Sequence, residues 1–132
     1  MKTTTEKNVV EAKKPLTMEE IEAKAKDLSE QYKNTVTPIV VMMDGEQVVG
    51  YFQEPEYDIL MYAVDCYVEK KISLSAEATF KNCFLAAESD QRIIKEERRY
   101  AKLKASFTNS CLKMVVPYVD EYKKKLTPPL IK

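Results

Sequence analysis

Few residues in this 132-residue chain have the chemistry to form a site: there are three cysteines and no histidine. Without an imidazole there is no Ser-His-Asp or Cys-His nucleophile, no His-ligated zinc and no ordinary general base near neutral pH. Cys66, Cys83 and Cys111 lie far apart with no CxxC pair, and each sits beside apolar residues. That pattern predicts buried, reduced thiols rather than a zinc or redox site. Carboxylates gather at Glu54, Glu56, Asp58 and Asp65, and the two aspartates share a helix face. No base partner or apolar pocket is visible beside them, so they read as a solvated acidic face rather than an acid/base pair. Asp44 and Glu46 could touch a cation but lack the ligand spacing of a calcium loop. Both glycines fall in one stretch, and neither belongs to a phosphate-binding loop. The expectation is a protein that is not an enzyme, with no cofactor and no metal.

One charge cluster stands out. In "QRIIKEERRYAKLK", Arg92, Lys95, Arg98, Arg99, Lys102 and Lys104 face Glu96 and Glu97, with Tyr100 between them. A basic helix over 92–104 could contact phosphates, or it could be a wet face laced by Glu-to-Arg and Glu-to-Lys pairs. Lysine plus arginine equals aspartate plus glutamate at 21 each, so the chain as a whole makes no electrostatic case for nucleic acid. No apolar run approaches the roughly 20 residues that span a bilayer, and the start lacks the apolar core of a signal peptide. No membrane association and a cytoplasmic location are expected.

The elements that must position any site follow from pattern and punctuation. Residues 1–14, polar and without period, read as a flexible arm. Thr17 and Glu20 form a capping box, with Leu16 and Ile21 placed as a staple. Ile21, Ala25, Leu28 and Tyr32 then mark a surface helix packed along one edge. "PIVVMMDGEQVVGYFQEP" reads as a hairpin at 38–53 around Asp44-Gly45, with Gly50 marking a bulge or a close backbone approach. A lone hairpin is marginal in water, so it must lie on helices or pair with another chain. Pro55 suits the start of the next helix.

From Glu56 to about Lys70 the chain is apolar around most of its circumference (Tyr57, Leu60, Met61, Val64, Tyr67, Val68), which predicts the central helix. Another helix follows, with Ser75 as its cap and Ala76, Phe80, Cys83 and Phe84 on one face. A long final helix is expected from Ser89 or Asp90, kinked near Pro117. It carries one line through Ile94, Ala101, Ala105, Thr108, Leu112, Val115, Val119 and Tyr122, and a second through Tyr100, Leu103, Phe107, Cys111, Met114 and Tyr118. Together they are wide enough for core on one side and a partner on the other. Residues 127–132 read as an extended tail. The fold class is therefore α+β, mostly α, with a single helical domain over 15–126.

Eight tyrosines and six methionines supply apolar surface that adapts its shape, a property of partner-binding faces. The candidate contacts are Met42, Met43, Tyr51, Phe52, Tyr100, Phe107, Met114 and Tyr118. The partner would be another protein, and self-association through the hairpin is open.

The order of parts also resembles a known family. A small sheet closing on "YFQEP", then "YDILMYAVDCYV", then "ATFKNCFLAAESD", then a charged helical end is similar to the small tail assembly chaperones of long-tailed bacteriophages. The likeness runs from about Ile39 to Val116 and rests most on Phe52, Pro55, Asn82, Cys83 and Phe84. It implies a non-catalytic helper that binds a long, apolar, helical tape-measure or tail-tube-like protein until the tail is built. Two alternatives stand beside it: a structural virion or adaptor protein retained in the particle, and a small nucleic-acid-binding regulator using the 92–104 helix.

Overall fold

The computed structural model describes residues 15–120; the expected arm at 1–14 and the tail at 127–132 lie outside the described residues. The architecture is α+β and mostly α, as the sequence predicts. In order it runs α1 (Met18–Tyr32), β1 (Val36–Met43), β2 (Glu46–Gln53), α2 (Tyr57–Val68), α3 (Ile72–Cys83) and α4 (Ala101–Ser110). Short 3₁₀ turns occupy Ala86–Glu88, Gln91–Ile94, Arg98–Tyr100 and Cys111–Met114, and 116–120 is helical again.

The start of α1 is fixed by the expected capping box. Glu20 N–H donates to Thr17 Oγ1 at 3.1 Å, and Thr17 N–H donates to Glu20 Oε1 at 2.9 Å. Leu16 is itself exposed, but its main chain is gripped from the hairpin tip. Its N–H donates to Gln47 Oε1 at 2.8 Å, and Gln47 Nε2 donates to its carbonyl at 2.9 Å. Ile21, Ala25 and Leu28 are the residues α1 buries, the one-edged packing its narrow stripe predicts.

The hairpin is continuous, pairing Val36 with Gln53 through to Met43 with Glu46, and it contains no bulge. Asp44 and Gly45 turn the chain with φ of 52° and 80°, the positive values a two-residue turn needs to match strand twist. Its two faces are both buried. Ile39, Val48 and Phe52 pack with Phe80, Ile93, Leu103 and Phe107 of the following elements. Val36, Val49 and Tyr51 pack with Ile21, Ala25 and Leu28 of α1, and with Leu85. A hairpin walled in on both sides has no wet face to alternate toward, so its strands read as near-continuous apolar runs. Of the two expectations for Gly50, close approach is the one realised. A Cβ there would meet Phe107 Cε1 at 3.0 Å, and Ile93 Cδ1 and Phe52 Cε1 at 3.1 Å.

Three expectations are corrected. The helix expected at the centre, α2, is peripheral: only Ala63, Val64 and Cys66 are buried, while Tyr57 and Tyr62 are exposed. Its cluster joins Val115 and Val119, apart from the two clusters on either face of the hairpin. Tyrosine supplies apolar bulk but keeps a hydroxyl that favours water, so the helix looks more buried in sequence than it is. Ser75 is not a cap, because α3 starts at Ile72; instead it is buried and donates to Ala63 O at 2.7 Å, pinning α3 to α2. The long final helix is segmented. Residues 86–100 turn in short 3₁₀ pieces, with Leu85 and Asp90 bonded to β2, and the α-helix begins at Ala101. The break near Pro117 falls just ahead of it, at Cys111–Met114. Pro117 sits early in the helical stretch 116–120, where its missing N–H costs little.

Gly50→Ala should lower stability by about 1–3 kcal/mol, because three packed side chains must give way at once. Urea unfolding checks this; an unchanged midpoint would mean that the face of β2 against Phe107 is loosely packed.

Candidate partner-binding groove

The candidate contact residues divide by burial. Met42 is 62% exposed and Tyr118 is 44% exposed, while Met43 is half-buried against the core. Tyr51, Phe52, Tyr100, Phe107 and Met114 are all buried. These five are corrected from surface to core. Over 100–111 the aromatic line removes more apolar area from water than Ala101 and Ala105 beside it, so there it turns inward; further on the two lines exchange, with Val115 and Val119 buried and Tyr118 exposed.

The residues that carry the family resemblance also belong mostly to the interior. Phe84 stacks on Phe80 at 4.9 Å between ring centroids and pairs with Phe52 in a single β-bridge. Cys83 is fully buried, Pro55 is half-buried, and Asn82 is exposed with its amide bonded to Ala78 O at 2.8 Å. Burial pushes the Cys83 and Cys111 thiols up to about 12, with Glu54 adding to the effect at Cys83 and Cys83 adding to it at Cys111. Thiols held so far above neutral pH are not nucleophiles. Asp58 and Asp65 are both exposed on α2, and among the described residues no group of three could hold a metal ion.

The basic segment does not form one helix over 92–104, nor one face. Arg92 is a structural clamp. Its guanidinium donates to Asp90 Oδ1 at 3.1 Å and Asp90 Oδ2 at 2.8 Å, and to Glu46 Oε1 at 2.5 Å. The hydrogen bond to Asp90 is the largest of the effects that raise its pKa, against opposing burial. It also reaches Gln47 O at 3.4 Å, so it ties the hairpin tip to the 90–92 turn. Arg99 pairs with Glu97 at 3.1 Å and lies over the Tyr100 ring at 4.7 Å.

Of the remaining cations, Lys95, Arg98 and Lys104 line a groove of about 800 Å³ between α3 and α4, and Lys102 does not. Its apolar floor is Phe80, Ala101 and Ala105, and its rim carries Lys81, Lys95, Arg98 and Lys104. Glu77, Glu96 and Glu97 also line it, but Glu97 is held by Arg99. Among the described residues, the four rim cations make no ion pair. Two features of the sequence meet here: Ala101, Ala105 and Thr108 from one line of the last helix, and Lys95, Arg98 and Lys104 of the basic cluster. What the sequence did not reveal is the opposite wall, Ser73, Glu77 and Lys81 of α3, because only packing brings α3 alongside α4.

Arg92→Ala should cost about 1–3 kcal/mol, because the guanidinium's bonds to Asp90, Glu46 and the Gln47 carbonyl are lost together. Arg92→Lys should recover only part of this, since an ammonium lacks the bidentate fork. Denaturant midpoints of the two variants check the order. In the folded chain Cys83 and Cys111 should resist a thiol reagent until denaturant is added. Because burial raises their pKa from 9.0 to about 12, the folded state holds protons that the unfolded state releases in that window. Stability should therefore fall as pH rises from about 9 toward 12, and less steeply in Cys83→Ala/Cys111→Ala. Equal slopes would show these thiols titrating normally.

No protein-family model, curated protein or solved structure was found to match the chain.

Proposed function

We propose that this protein is a non-catalytic assembly chaperone that covers an apolar helical segment of a larger partner, in the manner of the phage tail assembly chaperones it resembles. The observation that carries the reading is the α3–α4 groove. Its floor is small and apolar at Ala101 and Ala105, and none of the chain's described side chains fills it. A helix can lay an apolar stripe into such a groove, as in other helix-in-groove complexes. The unpaired cations Lys81, Lys95, Arg98 and Lys104 favour a partner helix with carboxylates flanking that stripe. The absence of histidine and the raised thiol pKa values favour binding over chemistry.

Ala105→Trp tests the groove. Ala105 is exposed, so the substitution fills the groove without entering the core. Co-expression with a long, apolar, helix-forming protein encoded beside this one should keep that partner soluble and co-eluting. Ala105→Trp should abolish both effects while leaving the chain's own melting temperature unchanged. Arg98→Glu/Lys104→Glu should weaken co-elution about tenfold or more by reversing the rim charge. A partner held equally well by Ala105→Trp would displace the site from the groove. A partner whose solubility ignores this chain would end the chaperone reading. Retention of the wild type on DNA, lost in Arg98→Glu/Lys104→Glu and steeply salt-dependent, would favour the nucleic-acid regulator instead. Recovery of the chain in finished particles would favour the structural role.

A further inference from the structure

One edge of the hairpin is occupied and the other is open. Along β2, Tyr51 N–H donates to Ser89 Oγ at 2.9 Å, and Tyr51 O accepts from Leu85 N–H at 2.9 Å. Val49 O accepts from Asp90 N–H at 3.0 Å. Val49 and Tyr51 therefore direct their main-chain groups away from β1. In the observed register Pro38 faces Tyr51, Val40 faces Val49 and Met42 faces Gln47. The alternation of an antiparallel ladder turns the main-chain groups of Pro38, Val40 and Met42 outward too, along the far side of β1.

Pro38 has no N–H to offer there, which fits an edge position. The outward N–H of Val36 is taken by Ser29 Oγ at 2.8 Å. Among the described residues, the N–H and C=O groups of Val40 and Met42 have no hydrogen-bond partner. The strand, "VTPIVVMM", carries no charge. Soluble proteins usually protect an open edge with lysine or another charge, and this one leaves Met42 exposed instead.

We propose that β1 pairs with β1 of a second copy of this chain, antiparallel, about a two-fold axis at Val41. The open block is short and symmetric. It runs from Val40 to Met42, bounded on one side by the donorless Pro38 and on the other by Asp44, where the chain turns at a φ of 52°. Each end of the block presents one donor and one acceptor. A two-fold at Val41 sets Val40 against Met42 of the second copy, and Met42 against Val40 of the second copy. Each pair exchanges both of its N–H···O bonds. A longer foreign strand would meet only the Pro38 carbonyl at one end and nothing beyond the turn at the other, whereas a second copy ends where this one does. The exposed Met42 side chain is then covered by Val40 of the second copy, a cross-strand apolar pair. The contact is isologous and closed, so it yields a dimer rather than a fibre. It uses no residue of the α3–α4 groove, so it stands or falls apart from the chaperone reading.

Sedimentation equilibrium of the full chain over a wide concentration range tests the pairing. Wild type should show a monomer–dimer equilibrium. Met42→Pro, which removes an outward N–H, and Met42→Lys, which puts a charge in the contact, should each weaken it about tenfold or more. Val41→Cys should form a disulfide-linked dimer under mild oxidation, because non-hydrogen-bonded antiparallel pairs bring Cα atoms within about 4.5 Å. A Lys102→Cys control should not. A wild type that stays monomeric, a dimer indifferent to both Met42 variants, or Val41→Cys linking no faster than the control would each overturn the proposal.

Discussion

Phe52 is fully buried, and its ring sits 5.8 Å from Phe80, 5.2 Å from Phe84 and 6.3 Å from Phe107. These four are all the phenylalanines in the chain, and they come from β2, from both ends of the "FKNCF" stretch and from α4. Such clusters gain from both area and ring geometry, and one that joins distant segments orders each against the others. With Phe52 inward, the period of a strand forces Val49 and Tyr51 to the opposite face, and that face needs its own cover. α1 provides it. The hairpin thus becomes the wall between two cores, and the glycine at position 50 lets α4 come close enough to complete one of them.

The same packing dictates which side of α4 is left open. Once Tyr100, Leu103 and Phe107 turn toward the hairpin, α4 presents Ala101 and Ala105 to the outside. Small residues there leave a groove in place of a ridge, and α3 forms its other wall. The basic segment is divided by the same event. Arg92 is drawn in to hold the hairpin tip and Arg99 is matched by Glu97, while Lys95, Arg98 and Lys104 are left at the groove rim. A chain with no net charge thus gathers Lys81, Lys95, Arg98 and Lys104 along one groove, beside Glu77, Glu96 and Glu97.

The buried polar groups show how the irregular stretch between α3 and α4 is held. Ser89 donates to Leu85 O at 2.7 Å while accepting from Tyr51 N–H, so one hydroxyl fastens the 85–89 turn to the sheet edge. Asp90 and Arg92 continue that seam to the turn of the hairpin. Segment 84–92 does for β2 what a third strand would do, which is why only β1 retains an open edge. That asymmetry follows from chain connectivity, since the segment after α3 returns on the β2 side.

The sequence alone determined the features set by neighbours along the chain. The Thr17–Glu20 box, the Asp44-Gly45 turn, the existence of the hairpin and most helices, and the burial of the cysteines all follow from local sterics, local hydrogen bonding or residue type. Only the tertiary structure decided which of two adjacent apolar lines on the last helix faces the core, because both have helical period and their difference is one of area buried against a particular neighbour. It also decided that α2 lies at the periphery, that Ser75 pins two helices rather than capping one, and that residues 85–90 bond along the sheet edge instead of leading into a long helix. In that last case the helical pattern was present, but unpaired carbonyls and N–H groups on β2 offered the backbone partners that a helix could not reach. Burying them unsatisfied costs more than a few turns of helix gain.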